Sequence, residues 1–452
     1  MVEVVGEQEL VHLIEQGLSV AKVPQVEIVG LSKLLRVIRF ANSTIHQPME
    51  ERNVSFFIRV LKDGKVGFSS VNGLDPKVLE EAIKRAEKNA SLPQATPLID
   101  RFADPKPVKS TDGYFEATGT TGSEALEEKV KQLFLRSKKG VSFAGVFWTM
   151  GAELAVANSN GVKLYHRWTS ANCQTVATTG EFSGFSAQAS PDVTKIKPEE
   201  IGDSAVERAI RFSESRELPP GEYECLLEEY AVAELLLYLS HMAFSADSVE
   251  EGRSIIGMKK GERVAHESVS FWDDGTNPLT FRIPFDVEGV PRKKVTFINK
   301  GIAADVVHDL STAKRTGAES TGHALPQDYS EGPLPLHVEM GSGTSTKPDM
   351  IRSMKRGLLV TRFHYIREVH PLKTMVTGMT RDGVFLVENG EVVARVKNFR
   401  FTESILRAFT HVKAISKERK LVATDMDGGF PSAVLCPKVL VEKFTFTGST
   451  KF

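Results

Sequence analysis

The chain has 452 residues, 41% hydrophobic and 25% charged, and its 57 Lys and Arg against 58 Asp and Glu give a formal net charge of −1. That length exceeds one compact core and points to two to three domains, while the balanced charge leaves no broad field to draw in nucleic acid or an anionic membrane surface. Three scattered cysteines, Cys173, Cys225 and Cys436, make no disulfide scaffold, and neither a secretory leader nor an apolar run of about 18 residues is present, so a cytoplasmic protein without a membrane span is expected.

Two strand-like runs come first, "VEIVGLSKLLRVIRFANSTIHQ" and "NVSFFIRVLKDGKVGFSSVNG", the second folded at Asp63-Gly64 into a hairpin. Helical spacing of apolar residues predicts a helix over "DPKVLEEAIKRAEKNA", with Pro76 in its first turn. A second is predicted over "SEALEEKVKQLFLRSKKG", with Thr121 and Glu124 as a capping box and Gly140 as its stop. Alternating residues over 145–188 predict strands around a tight Asn160-Gly161 turn, closed by a helix at "KPEEIGDSAVERAIRFSES". Pro219-Pro220 breaks the composition and marks a domain boundary.

The predicted fold class is α+β. Residues 1–218 form an N-terminal α+β domain with a mixed or antiparallel sheet, and residues 219–452 form a β-rich C-terminal domain of antiparallel hairpins with a few helices. The hairpin turns are predicted at Asn299-Lys300-Gly301, Asp382-Gly383 and Asn389-Gly390. Helices are predicted over 231–246, around 348–356 and around 402–411, and a closing strand pair over "AVLCPKVLVEKFTFTG".

Few chemistries remain. The sequence holds no G-x-x-x-x-G-K-[ST] phosphate loop, no G-x-S-x-G elbow and no C-x-x-C, and no basic run interleaved with aromatics suits nucleic acid. A helical zinc hydrolase needs two imidazoles on one helix face and a carboxylate beside the metal-bound water. His266-Glu267 is followed by Ser270 and Phe271 where a second ligand would fall, which leaves His266 a surface or supporting role. His241, in "LLLYLSHMAFSADSVEEG", has Leu237 and Phe244 as helical neighbours, with the acids Glu234 and Asp247 as its nearest partners; a hydrogen-bonded core or interface histidine is expected. Asp286 and Glu288, in "PFDVEGVPRKKVTFINKG", could share acid–base work, but turn capping is the commoner use of such a pair. Thr321 and His323 in "ESTGHA" suit either peptide contact or plain loop chemistry.

In their order and spacing, "AVAELLLYLSHMAFSADSVEEGRS", "PFDVEGVPRKKVTFINKGIAADVVHDLSTAKRTGAESTGHA", "SMKRGLLVTRF", "GVFLVENGEV" and "LVEKFTFTG" resemble the TldD/PmbA family, described both as modulators of DNA gyrase and as metalloprotease subunits. The resemblance implies dimers enclosing a cavity. It also implies zinc held by a TldD-type subunit on H-E-x-x-x-H plus a C-terminal cysteine, and a PmbA-type (TldE) partner without that site; the pair cleaves unfolded peptides. Aligned on Asp247, the ligand positions fall on Leu237, Tyr238 and Met242, and "TDMDGGFPSA", where the cysteine would stand, has none; Cys436 does not match.

The resemblance is therefore to the PmbA/TldE branch. No catalytic residue and no metal ligand is assigned to this chain, and zinc is expected in a TldD-type partner. The chain is expected to work as half of a peptidase with that partner, or as a non-catalytic homodimeric peptide-binding protein. A relocated site would have to draw on His241, His266, Asp286, Glu288 or His323. His241, Asp286, Glu288, Thr321 and His323 are the candidates for facing peptide or cavity.

Overall fold

The computed structural model describes residues 4–92, 99–326, 332–424, 430 and 432–449. Helix α1 (Glu7–Val20) leads into β1 (Gln25–Ala41), β2 (Thr44–Lys62) and β3 (Lys65–Asn72). Helices α2 (Pro76–Ala90), α3 (Glu116–Gly119) and α4 (Ser123–Phe134) follow, then β4 (Ser142–Asn158), β5 (Lys163–Thr178), β6 (Ser183–Ser190) and α5 (Pro198–Ile210). The six strands form one antiparallel sheet in the order β3-β2-β1-β4-β5-β6. Asp63 and Gly64 both adopt positive φ, 50° and 75°, as a two-residue hairpin matched to strand twist requires. The Asp75 side chain accepts the Lys77 N–H to start α2.

Both faces of this sheet are apolar because both are covered. Alternate residues of β1 point to opposite sides. Val26, Ile28, Ile38 and Phe40 join clusters with the helices. Val29, Leu31 and Val37 lie with Trp148, Leu154 and Trp168 on the other face, where Ile283, Phe285 and Val287 of the second unit pack over them. A sheet covered on both sides reads as near-continuous apolar sequence, and β4 is buried at every residue from Phe147 to Asn158.

The second unit begins with β7 (Ser215–Arg216), β8 (Gly221–Leu227), the long helix α6 (Glu229–Ala243) and two short helices, α7 (Ala246–Glu250) and α8 (Ile255–Met258). Next come β9 (Phe271–Asp273), β10 (Val295–Asn299), β11 (Ile302–Ala303), α9 (Leu310–Thr316), β12 (His337–Met340) and α10 (Lys347–Ser353). The chain closes with β13 (Arg356–His370), β14 (Met375–Glu388), β15 (Glu391–Val396), β16 (Phe399–Ser404), α11 (Ile405–Thr410), β17 (Val412–Ala423) and β18 (Ala433–Ser449). Its twelve-stranded sheet runs β11-β10-β9-β12-β18-β8-β13-β14-β15-β7, with β16 bridging β14 and β18, and β17 paired to β18. Three pairs are parallel, β12–β18, β8–β13 and β7–β15. Helix α6 lies across β13 and β18. The architecture is α+β. Among the described residues no helix is long and apolar enough to cross a membrane.

Local chemistry overrides several sequence expectations. Helix α4 starts after Gly122 without a side-chain cap, and Thr121 turns its hydroxyl back to the Ala117 carbonyl, so Thr121 and Glu124 form no capping box. The helix ends at Phe134, and Gly140, at φ +80°, serves the turn before β4 instead. The helix predicted to reach residue 246 stops at Ala243, because the Ser245 side chain accepts the Asp247 N–H and starts α7. Asp382-Gly383 is not a hairpin turn. Both residues sit inside β14 where the register with β13 shifts, so the pair forms a bulge opposite Thr361 that re-aims Asp382. The expected closing strand pair is one continuous strand, β18, shared by four neighbours.

Candidate functional site

Strand β8 delivers the chain into α6 through Glu228 and Glu229. Acids at a helix start meet the positive end of its dipole, and here each also meets a cation. Glu228 lies 3.1 Å from Arg208 of α5 and pairs with Lys347 of α10, and Glu229 pairs with Lys438 of β18. Burial opposes the Glu228 charge, but Arg208 and Lys347 hold its carboxyl well below the usual carboxylate range. The Cys436 Sγ donates to the Glu229 carbonyl at 3.3 Å, and burial pushes that thiol well above its ordinary value.

Beyond this anchor α6 divides by side. Ala231, Val232, Leu235, Leu236, Leu239 and Met242 enter the core, while Tyr230, Glu234, Leu237 and Tyr238 line a cavity of about 320 Å³. Its other walls come from β5 and β6, the distal half of β13 and the end of β17. The cavity therefore sits where the end strand of the first sheet meets the second unit. The Tyr230 hydroxyl accepts the Ala187 N–H and donates to the Ala187 carbonyl, both at 2.8 Å, and accepts from Lys420 Nζ at 2.6 Å.

Strand β8 pairs with β13 only as far as Val360, and α6 takes over beyond it. Glu234 accepts the Phe363 N–H at 2.9 Å, and the Tyr238 hydroxyl donates to the Ile366 carbonyl at 2.6 Å. Burial pushes the Glu234 carboxyl up to about 8 against the pull of Arg362, so it holds a proton at neutral pH. Arg362 is engaged by Asp382, Nε to Oδ2 at 2.8 Å, and lies 4.2 Å over the Phe185 ring. Asp382 in turn accepts the Ser183 hydroxyl of β6 at 2.6 Å, which is what the bulge in β14 achieves. Removing the Tyr238 bond in Tyr238→Phe is expected to lower stability by about 1 kcal/mol in urea unfolding; an unchanged midpoint would show that the strand is held without it.

The three positions that the resemblance sets against zinc ligands do other work. Leu237 forms cavity wall and has no donor, the Tyr238 phenol is held by Ile366, and the Met242 thioether is fully buried in the core. Zinc takes imidazole, thiolate and carboxylate, so these residues do not fit it. Of the "TDMDGGFPSA" segment, residues 425–429 and 431 lie outside the described residues. Among the described residues no group of three or more His, Cys, Asp or Glu could hold a metal ion.

The remaining candidates scatter. His241, expected in a core or interface, is exposed, beside Asp247, Ser248, Glu251 and Glu368 at a surface depression. It falls one turn after Leu237, on the side of α6 away from the core, a placement its apolar sequence neighbours conceal. Asp286 is buried and accepts the N–H groups of Glu288, Val290 and Ala324 at 2.9–3.0 Å, the turn-capping use. Glu288 is buried against Arg59, 2.7 Å from its Nη1, and accepts the Leu310 N–H. His323 is fully buried between Asp273 and Thr321, each at 3.0 Å, and burial lowers its pKa. Asp286, Glu288 and His323 are therefore buried and held by these partners. Thr321 does reach a groove of about 720 Å³, but its hydroxyl is tied to the N–H and carbonyl of His308. His266 folds onto Ser268.

Sequence reasoning missed Arg362, Lys420 and the buried Asp273–His337 pair, whose contact is the His337 N–H donated to Asp273 at 2.7 Å. Tyr230 and Lys420 meet although 190 residues apart. No local pattern announces such a contact.

Residues 220–448 match the PmbA/TldA metallopeptidase C-terminal domain, residues 26–90 its domain 1 and residues 113–212 its central domain. An uncharacterised protein of Methanocaldococcus jannaschii is 27% identical over 59% of this chain and 62% of its own length. A metalloprotease of the same organism is 25% identical over 80% of this chain and 83% of its own. The structure of TldE from Thermococcus kodakarensis superposes with a TM-score of 0.87 at 23% identity, covering 97% of this chain and 100% of that one.

Proposed function

The chain belongs to the PmbA/TldD metallopeptidase family, and from that premise we propose that it is a PmbA/TldE-type subunit, which holds unfolded peptide while a TldD-type partner supplies the zinc chemistry. One observation supports this most directly: where relatives would place ligands, this chain places a cavity wall, a strand clamp and a core methionine, at Leu237, Tyr238 and Met242. The scaffold is kept and the ligand chemistry is replaced by packing.

The cavity offers peptide a place. Strand β6 ends its sheet, and Ala187 turns its N–H and carbonyl outward onto Tyr230. In a regular antiparallel strand alternate residues turn the same way, so Phe185 and Ala189 present theirs on either side. An extended peptide that adds to this edge by backbone pairing displaces Tyr230 from Ala187.

The test is to purify the chain alone and with a TldD-type subunit from the same organism, then measure bound zinc and cleavage of an unstructured peptide. The expected result is no cleavage alone, a stable complex, and cleavage by the complex that needs the partner's zinc. Full-rate cleavage by the isolated chain carrying its own zinc would overturn the proposal. Self-association with no gain on adding the partner would replace it with a homodimeric peptide-binding protein.

A further inference from the structure

We infer that the cavity between β6 and α6 is a carboxylate site, which takes the C-terminal carboxylate or an Asp or Glu side chain of a bound peptide; this rests on the peptide-holding role proposed above. The charge around it carries the inference. Arg362 and Arg367 line the space of about 320 Å³, and Lys420 reaches it through the Tyr230 hydroxyl. Arg362 is neutralised by Asp382. Arg367 and Lys420 have no acid partner among the described residues; their contacts are the Ile366 carbonyl and the Tyr365 ring for one, the Tyr230 hydroxyl and ring for the other. Glu234 is the one acid among the described residues of the lining. It accepts the Phe363 N–H and is protonated at neutral pH, so it cancels neither cation. The cavity is left with excess positive charge.

Both cations are held in place with donors to spare. Lys420 Nζ gives one N–H to the Tyr230 hydroxyl at 2.6 Å and lies 4.7 Å from the centre of that ring. An ammonium has three donors, so two remain. Tyr230 is pinned by the N–H and carbonyl of Ala187; a carboxylate can bind Lys420 with that contact intact and needs no pairing to β6. The register of β13 with β14 shifts between His364 and Arg367, an irregularity of the kind that re-aims side chains. Arg367 Nη1 donates to the Ile366 carbonyl at 2.9 Å, which leaves most of its planar fork for a carboxylate. Glu234, holding its proton, can donate to the guest where an ionised acid would repel it. A neutral amide gains no charge-assisted bond here, and a cationic side chain meets like charge. Lys420 is half-buried and carries more of the attraction than Arg367, which is exposed to solvent and screened.

The test titrates the full-length chain with dansyl-labelled Ser/Gly peptides that end in a carboxylate, in an amide, or in an amide with one internal Glu, Gln or Lys. At least one carboxylate-bearing peptide is expected to bind about tenfold tighter than the plain amide, with Gln and Lys no tighter than it. Whether the free terminus or the internal Glu gains more tells which carboxylate enters. Lys420→Met is expected to remove most of the preference and Arg367→Gln to lower it about two- to threefold. Circular dichroism checks the fold, and if one variant misfolds the other still places the carboxylate. Equal affinity for all the peptides, or a carboxylate preference that survives substitution of either cation unchanged, overturns the site and leaves the peptide-holding role standing. Absence of binding by any peptide overturns both.

Discussion

Arg59→Ala is expected to lower folding stability by about 3–5 kcal/mol, the penalty for removing one partner of a buried ion group. Among the described residues, Arg59 on β2 is the single cation paired with both Glu27 of β1, at 2.6 Å, and Glu288 of the second unit, at 2.7 Å, and both glutamates are buried. Two carboxylates facing one guanidinium out of water cannot both ionise cheaply. Burial accordingly pushes Glu27 up to about 7, against the pull of Arg59, and burial pushes Glu288 upward too. An acid whose folded pKa is raised contributes stability that is fully present below its unfolded value, near 4.5, and is lost as pH rises through the folded value, about 7 for Glu27. The native chain should therefore lose stability as pH rises from about 4.5 to about 7 and level off above that, and the Arg59→Ala deficit should widen above about pH 7, where the native glutamates ionise beside Arg59 and those of the variant lack that cation. Guanidinium unfolding at several pH values measures both. A deficit below about 1 kcal/mol at pH 8 would show that the triad does not hold the first sheet to the 286–290 turn.

Glu228→Gln should produce a loss of similar kind, about 2–4 kcal/mol at neutral pH, through the opposite titration. This carboxylate is the hub between Arg208, Lys347 and the start of α6. Its loss leaves two cations without a charge partner and removes an anion from a helix N-terminus. The folded pKa is depressed, so the stabilisation is present above the unfolded value, near 4.5, and fades as pH falls below it. The gap between native chain and variant should therefore be widest at neutral pH and close on acidification, whereas the Arg59 deficit grows toward alkaline pH. Thermal unfolding of both variants at acid, neutral and alkaline pH separates the two, and a Glu228→Gln gap that stayed constant with pH would remove the charge from the explanation.

Much of the architecture is legible along the chain because it depends on neighbours in sequence. Asp63-Gly64 and Asn389-Gly390 are hairpin turns because both positions need positive φ, which Asp, Asn and Gly tolerate. Asp382-Gly383 has the same composition and the same positive φ, yet lies within a strand. Its role as a bulge is fixed by partners far away, Ser183 and Arg362, and no local preference separates the two outcomes. His241 shows the same limit. The apolar residues around it describe the helix as buried, but burial belongs to the core-facing side, and which side faces the core depends on β13 and β18.

By itself, then, the amino-acid sequence determined the α+β class, the chain's likeness to a metallopeptidase family and the absence of imidazole, thiolate and carboxylate at Leu237, Tyr238 and Met242, since periodicity, turn chemistry and side-chain identity are local properties. The tertiary structure alone decided that Leu237 and Tyr238 line a cavity beside β6 while Met242 enters the core, that Asp286 and His323 are enclosed, and that Arg59 meets Glu288 across 229 residues. Local patterning specifies which faces of an element avoid water. It does not specify which element covers them, and the cavity, the ion triad and the exposed histidine are all products of that covering.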